Sequence, residues 1–94
     1  MASVHNLDAE TRAALQSRLR RIEGQAKGIQ RMIDDGRDCM EILDQLASVK
    51  AALNGLGLDM VESFALYCLQ NPGEFKDQDE AVRQAVRALA RAGR

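Results

Sequence analysis

Cys39, in the stretch GRDCME, and Cys68, in ALYCLQ, are the chain's two thiols. A thiolate binds soft metal ions, and it attacks disulfide or sulfane sulfur. Cys68 follows Cys39 by 29 positions, and both fall within one expected helix. At the rise of an α-helix that separates them by roughly 43 Å, so they cannot meet within a chain. Twenty-nine steps of about 100° make eight turns plus about 20°, which puts both on nearly the same side. Two copies of the helix packed antiparallel would bring Cys39 of one near Cys68 of the other, twice per dimer. Cys39 sits in the first turn of its helix, where backbone N–H groups and the helix dipole favour a thiolate, opposed here by Asp38 and Glu41. Cys68 falls at a helix end beside Pro72 and Gly73, which predicts an accessible thiol. Either cysteine also suits a small buried apolar position.

The elements that must position these thiols are three helices, expected over residues 8–34, 38–70 and 77–91, after a flexible tail over 1–7. In the first, Leu15, Leu19, Ile22, Ala26, Ile29 and Ile33 recur at alternating spacings of four and three. Asp34-Asp35-Gly36 breaks the chain, with Gly36 suited to a left-handed turn. Asp38 then reads as an N-cap with Glu41 as its capping-box partner. The second seam runs Ile42, Leu46, Val49, Leu53, Leu56, Met60 and stops at Asn71-Pro72-Gly73. Gly55 and Gly57, inside it, suit either a close helix contact or a kink. The third helix starts at Asp77 with Glu80 in the capping position. Val82, Val86 and Leu89 make its apolar side, and Arg83, Arg87 and Arg91 form a ladder on another side.

Composition agrees with an all-α fold. The 94 residues suffice for a single domain over 1–94, 46% of them are hydrophobic and only 3% aromatic, and Pro occurs once. Two long helices and a short one cannot enclose a core alone, so two such hairpins are expected to form a four-helix-bundle dimer. The N-terminus lacks a signal-peptide pattern and no apolar run approaches a membrane span, so a cytoplasmic protein with reduced thiols and no membrane partner is expected.

The net charge of −1 is uninformative, but its distribution is not. Between Thr11 and Arg31 stand six cations (Arg12, Arg18, Arg20, Arg21, Lys27, Arg31) and one anion, Glu23, whereas residues 34–62 are acid-rich. A basic stripe on an acidic protein suits nucleic-acid phosphates or a solvated helix face. Arg18, Arg20, Arg21, Lys27 and Lys50, with Gln25 as a polar helper, are the candidate DNA contacts, for phosphate more than for base readout. They cannot all face one groove, since Arg18 and Arg20 lie about 200° apart around a helix.

The run RLRRIEGQ, the Asp38-Cys39 pair before the second helix and the Leu-Asn-Gly-Leu segment at Leu53–Leu56 together resemble the CsoR/RcnR family of bacterial repressors. The resemblance spans about Leu15 to Leu89. It implies a three-helix protomer, an antiparallel four-helix-bundle dimer assembling to a tetramer, and operator double-stranded DNA bound by basic surfaces of the first two helices and released by an inducer. It also implies an inter-chain sensing site. In copper-sensing members that site is a Cys followed by His-x-x-x-Cys. The matching residues here are Cys39, Phe64 and Cys68, so the imidazole position holds a phenyl ring. Nickel, cobalt and formaldehyde sensors also use imidazole, and this chain has only His5, displaced by about two positions from the ligand some members recruit from their tail.

Two cysteines without that His is the pattern of the persulfide-sensing, CstR-like members. The resemblance therefore implies a repressor that needs no cofactor. Its Cys39/Cys68 pair would sense persulfide or polysulfide, with Phe64 lining the site. The alternative is Cu(I) on the same two thiolates, helped by His5. An enzyme is not expected: there is no Cys-x-x-Cys, no nucleophile elbow, no Gly-rich phosphate loop and no His near either thiol in sequence. A partner-binding helical scaffold would leave the basic stripe and the phase-matched thiols unexplained.

Overall fold

The structure, a computed structural model, describes residues 3–92. It contains α1 (Ala9–Asp34), α2 (Cys39–Gln70) and α3 (Gln78–Ala92), with single 3-10 turns at Val4–Asn6 and Pro72–Glu74. Each helix starts where its cap predicts. Asp8 accepts a hydrogen bond from the Thr11 N–H at 2.6 Å, Asp38 from the Met40 N–H at 3.0 Å, and Asp77 from the Glu80 N–H at 2.8 Å. These oxygens satisfy amides that the first helical turn leaves unpaired. Glu41 does not close a capping box with Asp38; its carboxylate pairs with Arg37. Gly36 takes φ of +69°, the left-handed turn that lets α1 reverse into α2.

α2 runs unbroken through Gly55 and Gly57, so neither ends nor interrupts the helix. At Gly55 the reason for the missing side chain is visible. A Cβ there would lie 3.1 Å from the Nη2 of Arg18, whose guanidinium reaches across from α1 and pairs through Nη1 with Asp59.

The tail is not wholly loose. Ser3 and Asn6 form a reciprocal capping box around the Val4–Asn6 turn, and Leu7 is buried against Leu15 and Leu56, with Ile22 and Tyr67 beside them. A second cluster lies where α3 crosses the end of α2. There Cys68, Ala81 and Ala85 are buried together, flanked by Phe64, Ala65 and Phe75.

These two clusters do not close a globule. The protomer measures 56 × 26 × 15 Å with a radius of gyration of 17.3 Å. A compact domain of this length would have a radius of about 12 Å. Along the seam expected for α2, Leu56 is buried and Ile42 and Val49 are half-buried, while Leu46, Leu53 and Met60 stay exposed. Met40, Leu43, Leu58, Leu66 and Leu69 are exposed as well.

α3 differs from expectation in which face it packs. Val82, Val86 and Leu89 are exposed; the contact with α2 is made by Ala81 and Ala85. Small side chains let the two backbones approach over the Cys68 thiol, and branched ones at that crossing would hold them apart. No described helix is long and apolar enough to cross a membrane.

Candidate thiol site and basic face

α2 places its thiols in opposite surroundings. Cys39, its first residue, is exposed. Cys68, in its last turn, has none of its surface accessible in the protomer. The accessible Cys68 expected from the adjacent Pro-Gly break is thus corrected: α3 folds back over it, and Ala81, Ala85, Phe64 and Phe75 enclose the sulfur. Burial pushes the Cys68 thiol above its ordinary pKa, because the apolar surroundings penalise the thiolate.

Two outcomes follow. Alkylation of the metal-free, reduced protein is expected at Cys39 first. Cys68 reacts more slowly and gains rate only at higher pH, as residue-resolved mass spectrometry would show. Ala81→Leu would force extra methylenes into the closed crossing. It is expected to destabilise by about 1–3 kcal/mol, lower the melting temperature and speed alkylation of Cys68.

Phe64 lies one turn before Cys68 and walls its enclosure, in line with its place in the sequence. It offers no donor atom. Among the described residues no three His, Cys, Asp or Glu side chains cluster as a metal-holding group within one protomer. His5 lines a cleft with Tyr67 and Asn71, beside the last turn of α2, and its Nδ1 stands 3.1 Å from Arg12 Nη1. The Tyr67 hydroxyl and the Arg12 Nε are enclosed without a hydrogen-bond partner. Sequence reasoning singles out neither, since both depend on where the N-terminal turn docks.

The basic residues divide between two faces of α1. Arg18 and Gln25 are half-buried on the side toward α2, and the Arg18 guanidinium is committed to Asp59 beside Gly55. Arg20, Arg21 and Lys27 are exposed, and Lys27 sits 3.5 Å from Glu23 in a loose i, i+4 pair. Lys50, on α2, is exposed too. The one signal for the Arg18 pairing is Asp59, an acid inside an otherwise apolar stretch of α2.

An elongated helical hairpin with a thiol at each end of its long helix and cations along the first helix defines a class of protein, the small all-helical hairpin whose core is left open along α2. More particularly, the chain belongs to the metal-sensitive transcriptional repressor family, whose description matches residues 11–91. It is 30% identical over 84 residues to the copper-sensing transcriptional repressor CsoR of Bacillus subtilis, covering 89% of this chain and 83% of that one. It is 34% identical over 80 residues to the copper-sensing repressor RicR of Mycobacterium tuberculosis, covering 79% of each. Its fold superposes with a TM-score of 0.79 on the copper-sensing repressor CsoR with Cu(I) from Geobacillus thermodenitrificans, at 28% identity, over 100% of this chain and 95% of the other.

The protein is therefore a transcriptional repressor of the CsoR/RcnR family, and these relatives are repressors by name, not enzymes. One expectation is overturned. The cysteine pattern without its His implies no cofactor, but these relatives are named for sensing copper, and the solved one holds Cu(I).

Proposed function

We propose that this repressor binds operator DNA through Arg20, Arg21, Lys27 and Lys50, and that Cu(I) releases it. The ion would be held between Cys39 of one protomer and Cys68 of the partner subunit. The observation that carries this reading is the placement of two thiols at opposite ends of one unbroken helix, on nearly the same side, while that helix leaves Leu46, Leu53 and Met60 uncovered. Burying that apolar row against a second copy, antiparallel, joins the thiols in pairs. Tetramer formation by two such dimers follows from the family resemblance.

The donor chemistry fits a soft ion. Two thiolates suit Cu(I), which accepts a small number of sulfur ligands, whereas the missing imidazole does not suit nickel or cobalt. Cu(I) held there would supply a bond between helices of different chains. The rest falls to this chain's residues. Each thiol gives up its proton on ligation, so affinity rises with pH. Cys68 must be uncovered from beneath Ala81 and Ala85, which makes α3 the element that moves when the site is filled. A displaced α3 and re-spaced α2 pair would shift the population away from the DNA-binding shape.

A second reading is favoured by one observation, the phenyl ring of Phe64 where copper-sensing members have imidazole. In that reading the exposed Cys39 thiolate takes the terminal sulfane sulfur of a polysulfide, and the shortened polysulfide leaves. Cys68 of the partner subunit then attacks the Cys39 sulfur of that persulfide, hydrosulfide leaves, and an inter-chain disulfide remains.

Fluorescence anisotropy of the reduced repressor on its own promoter, titrated in parallel with Cu(I) and with inorganic polysulfide, tests both. Release at stoichiometric Cu(I) is expected. Release by polysulfide alone, reversed by a thiol reductant, would overturn the copper reading in favour of the second. Release by neither would sink both.

A further inference from the structure

The N-terminal turn holds no thiol and none of the proposed DNA contacts, yet it is fastened to the body of the protomer. Ser3 and Asn6 close a reciprocal capping box, and the Leu7 N–H donates to the Val4 carbonyl at 3.2 Å. The Leu7 side chain is buried with Leu15 of α1 and Leu56 of α2. A guanidinium can only donate, so the Arg12 Nη1 donates to the His5 Nδ1, 3.1 Å away, and ties the turn to α1 a second time.

Beneath the turn lies a route to the buried thiol. Tyr67 packs against the Leu7, Leu15, Leu56 cluster and shares a cleft wall with His5 and Leu7. Its ring meets Phe75 edge-on, with centroids 6.4 Å apart and planes at 65°. Phe75 in turn packs on Cys68, Ala81 and Ala85. The Leu7 cluster, Tyr67, Phe75 and the Cys68 sulfur are therefore successive links in one run of contacts.

We propose that residues 3–7 act as a strap that keeps α3 closed over Cys68. With Leu7 seated, Tyr67 is held against Phe75, and Phe75 is held over the sulfur. With Leu7 unseated, Tyr67 loses its backing, the two rings are free to turn, and the enclosure opens more often. The Tyr67 hydroxyl makes the two states close competitors. It is enclosed without a hydrogen-bond partner, a cost that water relieves once the turn lifts. Buried apolar surface favours the seated state and the unpaired hydroxyl favours the lifted one. The strap thus sets how often Cys68 becomes available, whichever effector the thiols sense.

Residue-resolved alkylation of the reduced, full-length repressor tests this, because an enclosed thiol reacts in proportion to its local opening. Cys39, at the other end of α2, is the internal reference. Leu7→Ala is expected to speed alkylation of Cys68 several-fold and to leave Cys39 unchanged. Tyr67→Phe removes the unpaired hydroxyl and keeps the ring, so it is expected to slow Cys68. Ile29→Ala controls for general loss of stability, since Ile29 is buried on α1 but belongs to neither cluster. It is expected to leave the Cys68 rate nearly unchanged. Equal acceleration of Cys68 by Leu7→Ala and Ile29→Ala would assign its exposure to general destabilisation and overturn the strap. An unchanged Cys68 rate in Leu7→Ala, or one that Tyr67→Phe fails to lower, would overturn it as well.

Discussion

Replacing either thiol by alanine is expected to leave operator binding intact and to abolish release by Cu(I). The two halves of this result have separate causes. Cys39 is exposed at the start of α2 and touches no core cluster, so Cys39→Ala removes a ligand and little else. Cys68→Ala removes a ligand and leaves a small void beneath Ala81 and Ala85, which costs stability on the order of 1 kcal/mol. Neither thiol contributes charge to the basic face of α1. Removing one of only two thiolates is expected to weaken Cu(I) by more than the roughly 10–100-fold that an outer-shell partner is worth at a metal site. Competition with a Cu(I) chelator checks the affinity, and anisotropy checks the release. Full induction in either variant would rule out the dithiol mechanism.

The second large effect is expected at the other end of the switch. Arg20→Glu with Arg21→Glu reverses two exposed charges on α1 without touching a buried residue. Each cation withdrawn from a phosphate lowers the slope of log affinity against log salt by about 0.9, so withdrawing two weakens binding by roughly 60-fold near 0.1 M salt. The decline should be alike for operator and random DNA, because phosphate recognition carries no sequence information. Arg18→Ala is expected to behave differently. Its guanidinium is held by Asp59, so the change removes a half-exposed ion pair worth at most about 1 kcal/mol and affects the α1–α2 packing more than the salt slope. Salt-dependent anisotropy on both DNAs, with thermal melts, separates these outcomes. An unchanged slope in the double reversal would remove Arg20 and Arg21 from the interface.

Local chemistry makes most of the fold legible in the sequence. Asp8, Asp38 and Asp77 mark three helix starts, and Gly36 marks the reversal, because capping and a positive φ depend on residues close in the chain. The spacing of Cys39 and Cys68 is legible for the same reason, since an unbroken helix fixes both rise and phase.

Packing between distant segments is not legible in the same way. The Pro-Gly break beside Cys68 suggests exposure, yet Ala81 and Ala85, more than ten residues onward, cover it. Val82, Val86 and Leu89 are more apolar than those alanines, so composition points to the wrong face of α3. The smaller residues win because only they allow the crossing over the sulfur. Leu7 escapes notice likewise: its burial depends on Leu56, far along α2. The proposed metal stands second in the sequence reading for another reason. Phe64 removes a ligand from the familiar copper pattern, and that local absence ranks a sulfur-sensing reading ahead of Cu(I) on the same two thiolates.

The measurement that tests the central claim most directly is Cu(I) stoichiometry in mixed assemblies. Cys39→Ala and Cys68→Ala chains are each expected to bind no tight Cu(I) alone. Mixed after unfolding and refolding together, they form hybrid dimers. Each hybrid keeps one Cys39 opposite one Cys68 of the partner subunit, and one pair with no thiol. The account predicts one tightly bound Cu(I) per hybrid dimer, half the parent value. Hybrids that form but bind none would contradict a site shared between chains.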